Sequence, residues 1–188
     1  MRRITYEDSL TMPENKLEEI LRGESRIMPP ATFFHAYLIR VLSRILQNHL
    51  DPAEYILFGD DVGLGIERTP LTYRIPDLMV FRTSILRRAR AKIAGNDPYI
   101  WVAPDLLAEC DSPSNRKGSI RELLADYSGI AVPEVWLLDP AEPRCTSYRY
   151  QSGALRENQT MSQGELTPQL LPNVTVNLAD LWSAYAGI

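Results

Sequence analysis

Two short, strand-like apolar runs in this 188-residue chain each carry a carboxylate at one end. Asp77, in Arg74-Ile75-Pro76-Asp77, precedes Leu78-Met79-Val80-Phe81, and Glu109 follows Leu106-Leu107-Ala108. Such runs belong in a sheet interior, where a carboxylate is costly unless it is paired or binds a cation. The fold must therefore bring the two acids together or give each its own counter-charge. On adjacent strands they would form a site for a hard metal ion. The structural alternatives are Asp77 capping the turn after Pro76 and Glu109 pairing with Arg74, since ion-pair networks also bury acids.

The rest of the pattern frames these runs. Pro13 to Arg22 reads as a short amphipathic helix, with Leu17, Ile20 and Leu21 on one face and Gly23 as its stop. Glu24 to Met28 reads as a short strand before Pro29-Pro30. Phe34, Leu38, Val41, Leu42, Ile45 and Leu46 recur at helical spacing and predict a helix over 33–50. Strands follow at 55–58, at 73–81 (with Pro76 marking an edge or bulge) and at 106–110. Between the first two lies the glycine-punctuated stretch Gly59 to Ile66. Ser119-Ile120-Arg121-Glu122 has the form of a capping box opening a helix, continued by Leu123, Leu124 and Tyr127. Glu134 to Leu138 is a buried strand; further strands are expected at 147–150, 154–157 and 174–178, with a closing helix over 179–185. This order gives one α/β domain over 1–188, a mixed sheet with helices on both faces.

Composition narrows the setting. Apolar residues make up 45% of the chain, no run approaches the ~18 residues of a membrane span, and the N-terminus lacks a signal-peptide core. Two cysteines, Cys110 and Cys145, are too few for a disulfide framework, so the expected location is cytoplasmic. Net charge is −4, yet Arg82, Arg87, Arg88, Arg90 and Lys92 form a local run with no acid. That run is either a solvated face or a patch that holds phosphates in a salt-sensitive way. No P-loop, nucleophile elbow or dinucleotide fingerprint is present; Gly59 to Gly65 lacks the lysine that a phosphate loop needs.

Several segments, in order, resemble one family. Glu19-Ile20-Leu21-Arg22-Gly23-Glu24, Met28-Pro29-Pro30 and His35 lead to Arg74-Ile75-Pro76-Asp77-Leu78. Then come Pro104 to Ser114, Ala125-Asp126-Tyr127, and Val132-Pro133-Glu134-Val135-Trp136-Leu137-Leu138-Asp139-Pro140, with Leu166-Thr167-Pro168 and Leu171-Pro172-Asn173-Val174 beyond. The chain resembles the Uma-two family of restriction-endonuclease-like proteins, within the PD-(D/E)XK nuclease superfamily. The resemblance implies a restriction-endonuclease-like fold, a mixed central β-sheet flanked by α-helices, and magnesium-dependent hydrolysis of DNA by a homodimer. It implies metal ligation by Asp77, Glu109 and the carbonyl of Cys110, with Glu19, expected on the first helix, as a further acid. Two carboxylates holding a divalent cation suit phosphodiester hydrolysis, which needs charge neutralisation and an activated water.

The chain departs from the family pattern where a lysine is expected, four residues before Tyr127; that position is Leu123, best read as core. Asp111 occupies the older lysine position with the wrong sign. Lys117, just ahead of the helix, is the expected catalytic substitute. Arg87, Arg88, Arg90, Lys92 and Arg116 are the expected nucleic-acid contacts. The alternative is a catalytically impaired nuclease-like domain that binds nucleic acid or a partner. His35 reads as a helix-start or packing residue, and Trp101, Trp136 and Trp182 as packing residues.

Overall fold

A computed structural model of the chain describes residues 2–12, 18–90, 97–111 and 117–187. The N-terminal half builds α1 (Tyr6–Ser9), β1 (Glu18–Leu21), β2 (Glu24–Ile27), α2 (Phe33–His49), β3 (Tyr55–Phe58), β4 (Gly63–Arg68), β5 (Leu71–Arg74), β6 (Leu78–Arg82) and α3 (Thr83–Arg90). There follow β7 (Tyr99–Ile100), β8 (Leu106–Cys110), α4 (Lys117–Gly129), β9 (Glu134–Asp139), β10 (Arg144–Gln151), β11 (Ala154–Met161), β12 (Glu165–Leu166), β13 (Val176–Asn177) and α5 (Leu178–Ala186).

The expected mixed α/β architecture is present, with its strands divided among sheets. A six-stranded sheet has the order β11-β10-β9-β8-β6-β3, a five-stranded sheet the order β2-β1-β5-β4-β7, and β12 pairs with β13. Within the larger sheet β8 and β9 run parallel, with α4 as their crossover, while β6 and β8 are antiparallel. No described helix is long and apolar enough to cross a membrane.

Side-chain alternation sorts the larger sheet into two faces. Leu78 and Val80 of β6, with Leu106, Ala108 and Cys110 of β8, share a core with Leu38, Leu42 and Leu46 of α2 and Leu181 and Trp182 of α5. Met79, Phe81 and Leu107 instead join Tyr127 of α4 and Leu64 of β4, with Leu123 packed alongside. Asp77 and Glu109 continue the odd-numbered set. Leu38, Leu42 and Leu46 are fully buried, each contributing about 1.5–3 kcal/mol relative to exposure. Thr32 caps α2 by accepting the His35 backbone N–H at 3.2 Å.

Three local expectations are overturned. The helix predicted over Pro13 to Arg22 is, where described, the strand β1, paired antiparallel with β2. Arg22 (φ 55°) and Gly23 (φ 79°) form the two-residue turn between them, both in the left-handed conformation that such hairpins require. Gly23 is thus a hairpin turn residue, and Glu19 lies on a strand. The strand predicted over 73–81 is broken: β5 belongs to the five-stranded sheet and β6 to the six-stranded one. Pro76, with no N–H to give a ladder, lies in the hand-over between them. The capping box at Ser119 is not a helix start, because α4 already begins at Lys117 and the Glu122 carboxylate accepts from Arg22 and Arg26.

Gly59 to Ile66 contributes the start of β4, where a Cβ on Gly65 would come within 2.3 Å of the Trp101 ring. Trp101 gives its indole N–H to Asp97 at 2.9 Å and stacks with the Arg68 guanidinium 4.3 Å above it, which makes it a packing residue.

Candidate metal centre

The antiparallel register of β6 on β8 pairs Leu78 with Ala108, so the next pair outward is Asp77 with Glu109. The contacts agree. The Asp77 N–H donates to Glu109 Oε2 at 3.4 Å, and the Cys110 N–H donates to Asp77 Oδ2 at 2.7 Å. The two acids of the sequence analysis are therefore neighbours, at the strand ends where the two sheets meet.

Each carboxylate is held from another side. His35, in the first turn of α2, brings Nε2 to 2.9 Å from Asp77 Oδ1. That contact raises the imidazole pKa, against burial, which lowers it; the charges of Asp77 and Asp60 add to the rise. The Tyr127 hydroxyl of α4 donates to Glu109 Oε1. Burial first, and then the negative charge of Asp77, push the Glu109 carboxyl well above the usual carboxylate range. Burial, with the Glu109 and Glu19 charges, likewise pushes the Tyr127 phenol up.

Glu109 does not pair with Arg74. The Arg74 guanidinium, 6% exposed, donates through Nε (2.9 Å) and Nη2 (2.6 Å) to Asp126 Oδ2 and through Nη1 to Glu19 Oε2 at 3.2 Å. Glu19 Oε1 accepts the Ile75 N–H at 3.0 Å. Arg22 closes the network onto Asp126 Oδ1 at 3.0 Å and onto Glu122. This cluster locks α4 to the smaller sheet, while the adjacent Tyr127 reaches the candidate centre. Both Glu19 oxygens are thus engaged, and burial raises the Glu19 pKa although Arg74 opposes it.

Among the described residues no group of three or more His, Cys, Asp or Glu side chains stands ready as a metal cluster. The donor chemistry nevertheless suits a hard divalent cation. Asp77 and Glu109 are neighbouring carboxylates with no Arg or Lys bonded to them among the described residues, and main-chain oxygen is a normal ligand for such ions.

The Uma2 family profile, described as "Putative restriction endonuclease", matches residues 5–179. This chain belongs to the Uma2 family. A crystal structure of a "putative nuclease" from Anabaena variabilis superposes with a TM-score of 0.78 at 19% identity, over 97% of this chain and 99% of that one. At that identity the likeness shows a shared fold. No curated protein matches.

The remaining Uma2 expectations fall in different places. Leu123 packs in the core beside Tyr127, so that position holds no charge. Lys117 is the first residue of α4, but the place of its side chain lies outside the description; Lys92 and Arg116 lie outside the described residues. Arg87, Arg88 and Arg90 are exposed on α3, which follows the end of β6 remote from Asp77. Five strand residues separate them, about 17 Å. Sequence reasoning missed the Asp77 contact of His35 and the Asp126 clamp on Arg74. Such contacts between distant segments leave no periodic signal, and only the position of His35 within the family motifs pointed toward the site.

Proposed function

We propose that this Uma2 chain hydrolyses phosphodiester bonds in DNA with a divalent cation, most simply magnesium, held by Asp77, Glu109 and the Cys110 carbonyl. The observation that carries the reading is the reciprocal bonding of the two acid positions, Cys110 N–H to Asp77 Oδ2 and Asp77 N–H to Glu109 Oε2. When bound, the cation would neutralise phosphoryl charge and lower the pKa of an attached water. The chain's own residues prepare the site. His35 fixes one Asp77 oxygen, and Tyr127 fixes one Glu109 oxygen. Glu19, spent on Arg74 and Ile75, supports the β1–β5 pairing rather than ligating. Lys117 is the group assigned to charge stabilisation, and the exposed arginines of α3 meet phosphates flanking the scissile one. Two copies, one for each strand, and a cytoplasmic setting complete the reading.

Leu123 favours a second reading, a Uma2 scaffold that binds nucleic acid without cutting it. Losing one preorganised charge contact costs about 10²–10³ in rate. Plasmid nicking with magnesium, comparing wild type with Asp77→Ala and Glu109→Ala, decides between them. Nicking by the wild type alone is expected. Equal behaviour of all three proteins overturns the nuclease reading, and metal-independent, salt-sensitive DNA retardation would then support the second.

A further inference from the structure

Residues 24–34 form a continuous exposed segment that the site does not use. All four residues of β2 are exposed, and β2 is the edge of the five-stranded sheet, with no outer neighbour among the described residues. Seven large hydrophobic side chains are exposed in the described structure, and four belong to this segment: Ile27 (75%), Met28 (39%), Phe33 (68%) and Phe34 (55%). An open edge displays unpaired N–H and C=O groups, which natural proteins blunt with lysine, proline or a bulge. Glu24-Ser25-Arg26-Ile27 has no lysine, proline or bulge, its register on β1 is unbroken, and its two charges, the remaining guard of such an edge, are of opposite sign and so can complement a second copy.

We propose that β2 is a self-association edge, on which a second copy of this chain pairs its own β2 antiparallel and covers Ile27 and Met28. An antiparallel strand paired with itself has two-fold symmetry by construction, the commonest arrangement in homo-oligomers. Centred on Ser25, that register sets Glu24 opposite Arg26 of the second copy and Arg26 opposite its Glu24. Opposite charges directly across a ladder stabilise it, and like charges there destabilise it. The Arg26 side chain is 48% exposed and touches Glu122 only at 3.4 Å, so it can turn to the new partner. Pro29-Pro30 stops the pairing beyond Met28. Nucleic acid is disfavoured as the occupant, because the segment has one arginine against one glutamate and four exposed large hydrophobic side chains.

A homodimer belongs to the nuclease reading above, but this surface does not follow from it, and mass rather than cleavage tests it. Sedimentation velocity of the full chain should give twice the 21.3 kDa monomer mass. Glu24→Arg alone and Arg26→Glu alone each set like charges across the axis and should raise the dimer Kd about tenfold or more. An equimolar mixture of the two restores both opposite-charge pairs and should recover wild-type affinity. Ile27→Ser should weaken the dimer without affecting the charge pairs. A monomeric wild type, a dimer indifferent to these substitutions, or a mixture that fails to recover while circular dichroism shows both variants folded would each overturn the proposal. Nicking measured in parallel separates the two ideas: a monomer that nicks removes only this one, and a β2-dependent dimer that never nicks removes only the nuclease reading.

Discussion

His35 Nε2 lies 2.9 Å from Asp77 Oδ1, so the first turn of α2 holds the same acid that the Cys110 N–H holds from β8. A histidine that fixes a carboxylate acts on metal affinity through that carboxylate. His35→Ala should weaken magnesium binding about 10–100-fold, and His35→Gln, which keeps an N–H donor, should weaken it less. Calorimetric titration checks this; equal affinities in all three proteins would remove His35 from the site.

Glu109 predicts a pH dependence in the metal-free protein. Its folded pKa is raised, so the folded chain holds this proton more tightly than the unfolded chain does. Stability from that proton is fully present below the unfolded carboxylate pKa and is lost as pH rises through the folded one. Glu109→Gln, neutral at every pH, should therefore melt higher than wild type in EDTA at about pH 8, and the difference should shrink toward about pH 4. Thermal melts across that range test the sign; an advantage that grows on acidification would contradict it.

Arg74 is the only described basic side chain bonded to Glu19 and also holds Asp126. Arg74→Ala leaves the Glu19 carboxylate buried without its cation and should cost about 3–5 kcal/mol. Combining Arg74→Met with Glu19→Gln and Asp126→Asn should recover much of that loss, because the orphaned charges go with it. Urea denaturation midpoints provide the comparison.

Arg87, Arg88 and Arg90 distinguish a nucleic-acid face from a solvated one. Each phosphate contact removed by an Arg→Ala change should lower the slope of log K against log salt by about 0.9 on duplex DNA. Fluorescence anisotropy at several salt concentrations reads this directly, and an unchanged slope in the triple variant would mark α3 as ordinary surface.

The sequence was most legible where burial follows a single period. The α2 stripe and the β8 and β9 runs lie close to where their apolar spacing puts them. It was least legible at β1, where Ile20 and Leu21 are buried next to Glu19, which is 4% exposed. Consecutive burial there comes from a core on one face and the Arg74 ion pair on the other, so the alternation of a strand is hidden and Leu17, Ile20 and Leu21 imitate a helix. The Arg22-Gly23 turn between two short runs was the signal for a hairpin. The Asp77–Glu109 pairing was foreseeable from both acids lying at the ends of apolar strands. The Tyr127 hydroxyl and the His35 ring depend on how helices from distant segments settle on the sheet, which no local pattern encodes. Glu134 explains a family motif in purely structural terms: fully buried, it accepts the Trp136 indole N–H at 2.7 Å, the Ser147 hydroxyl at 3.0 Å and the Gln169 N–H at 2.6 Å.

Asp77 sits immediately before β6, where the backbone enters the six-stranded sheet, so the β6–β8 pairing sets its place beside Glu109. A cation that needs both acids would bind only chains in which β6 and β8 have already paired in register. Luminescence from a lanthanide probe would then report that register, and a single residue inserted between Asp77 and Leu78 would silence it while leaving most of the helical content intact.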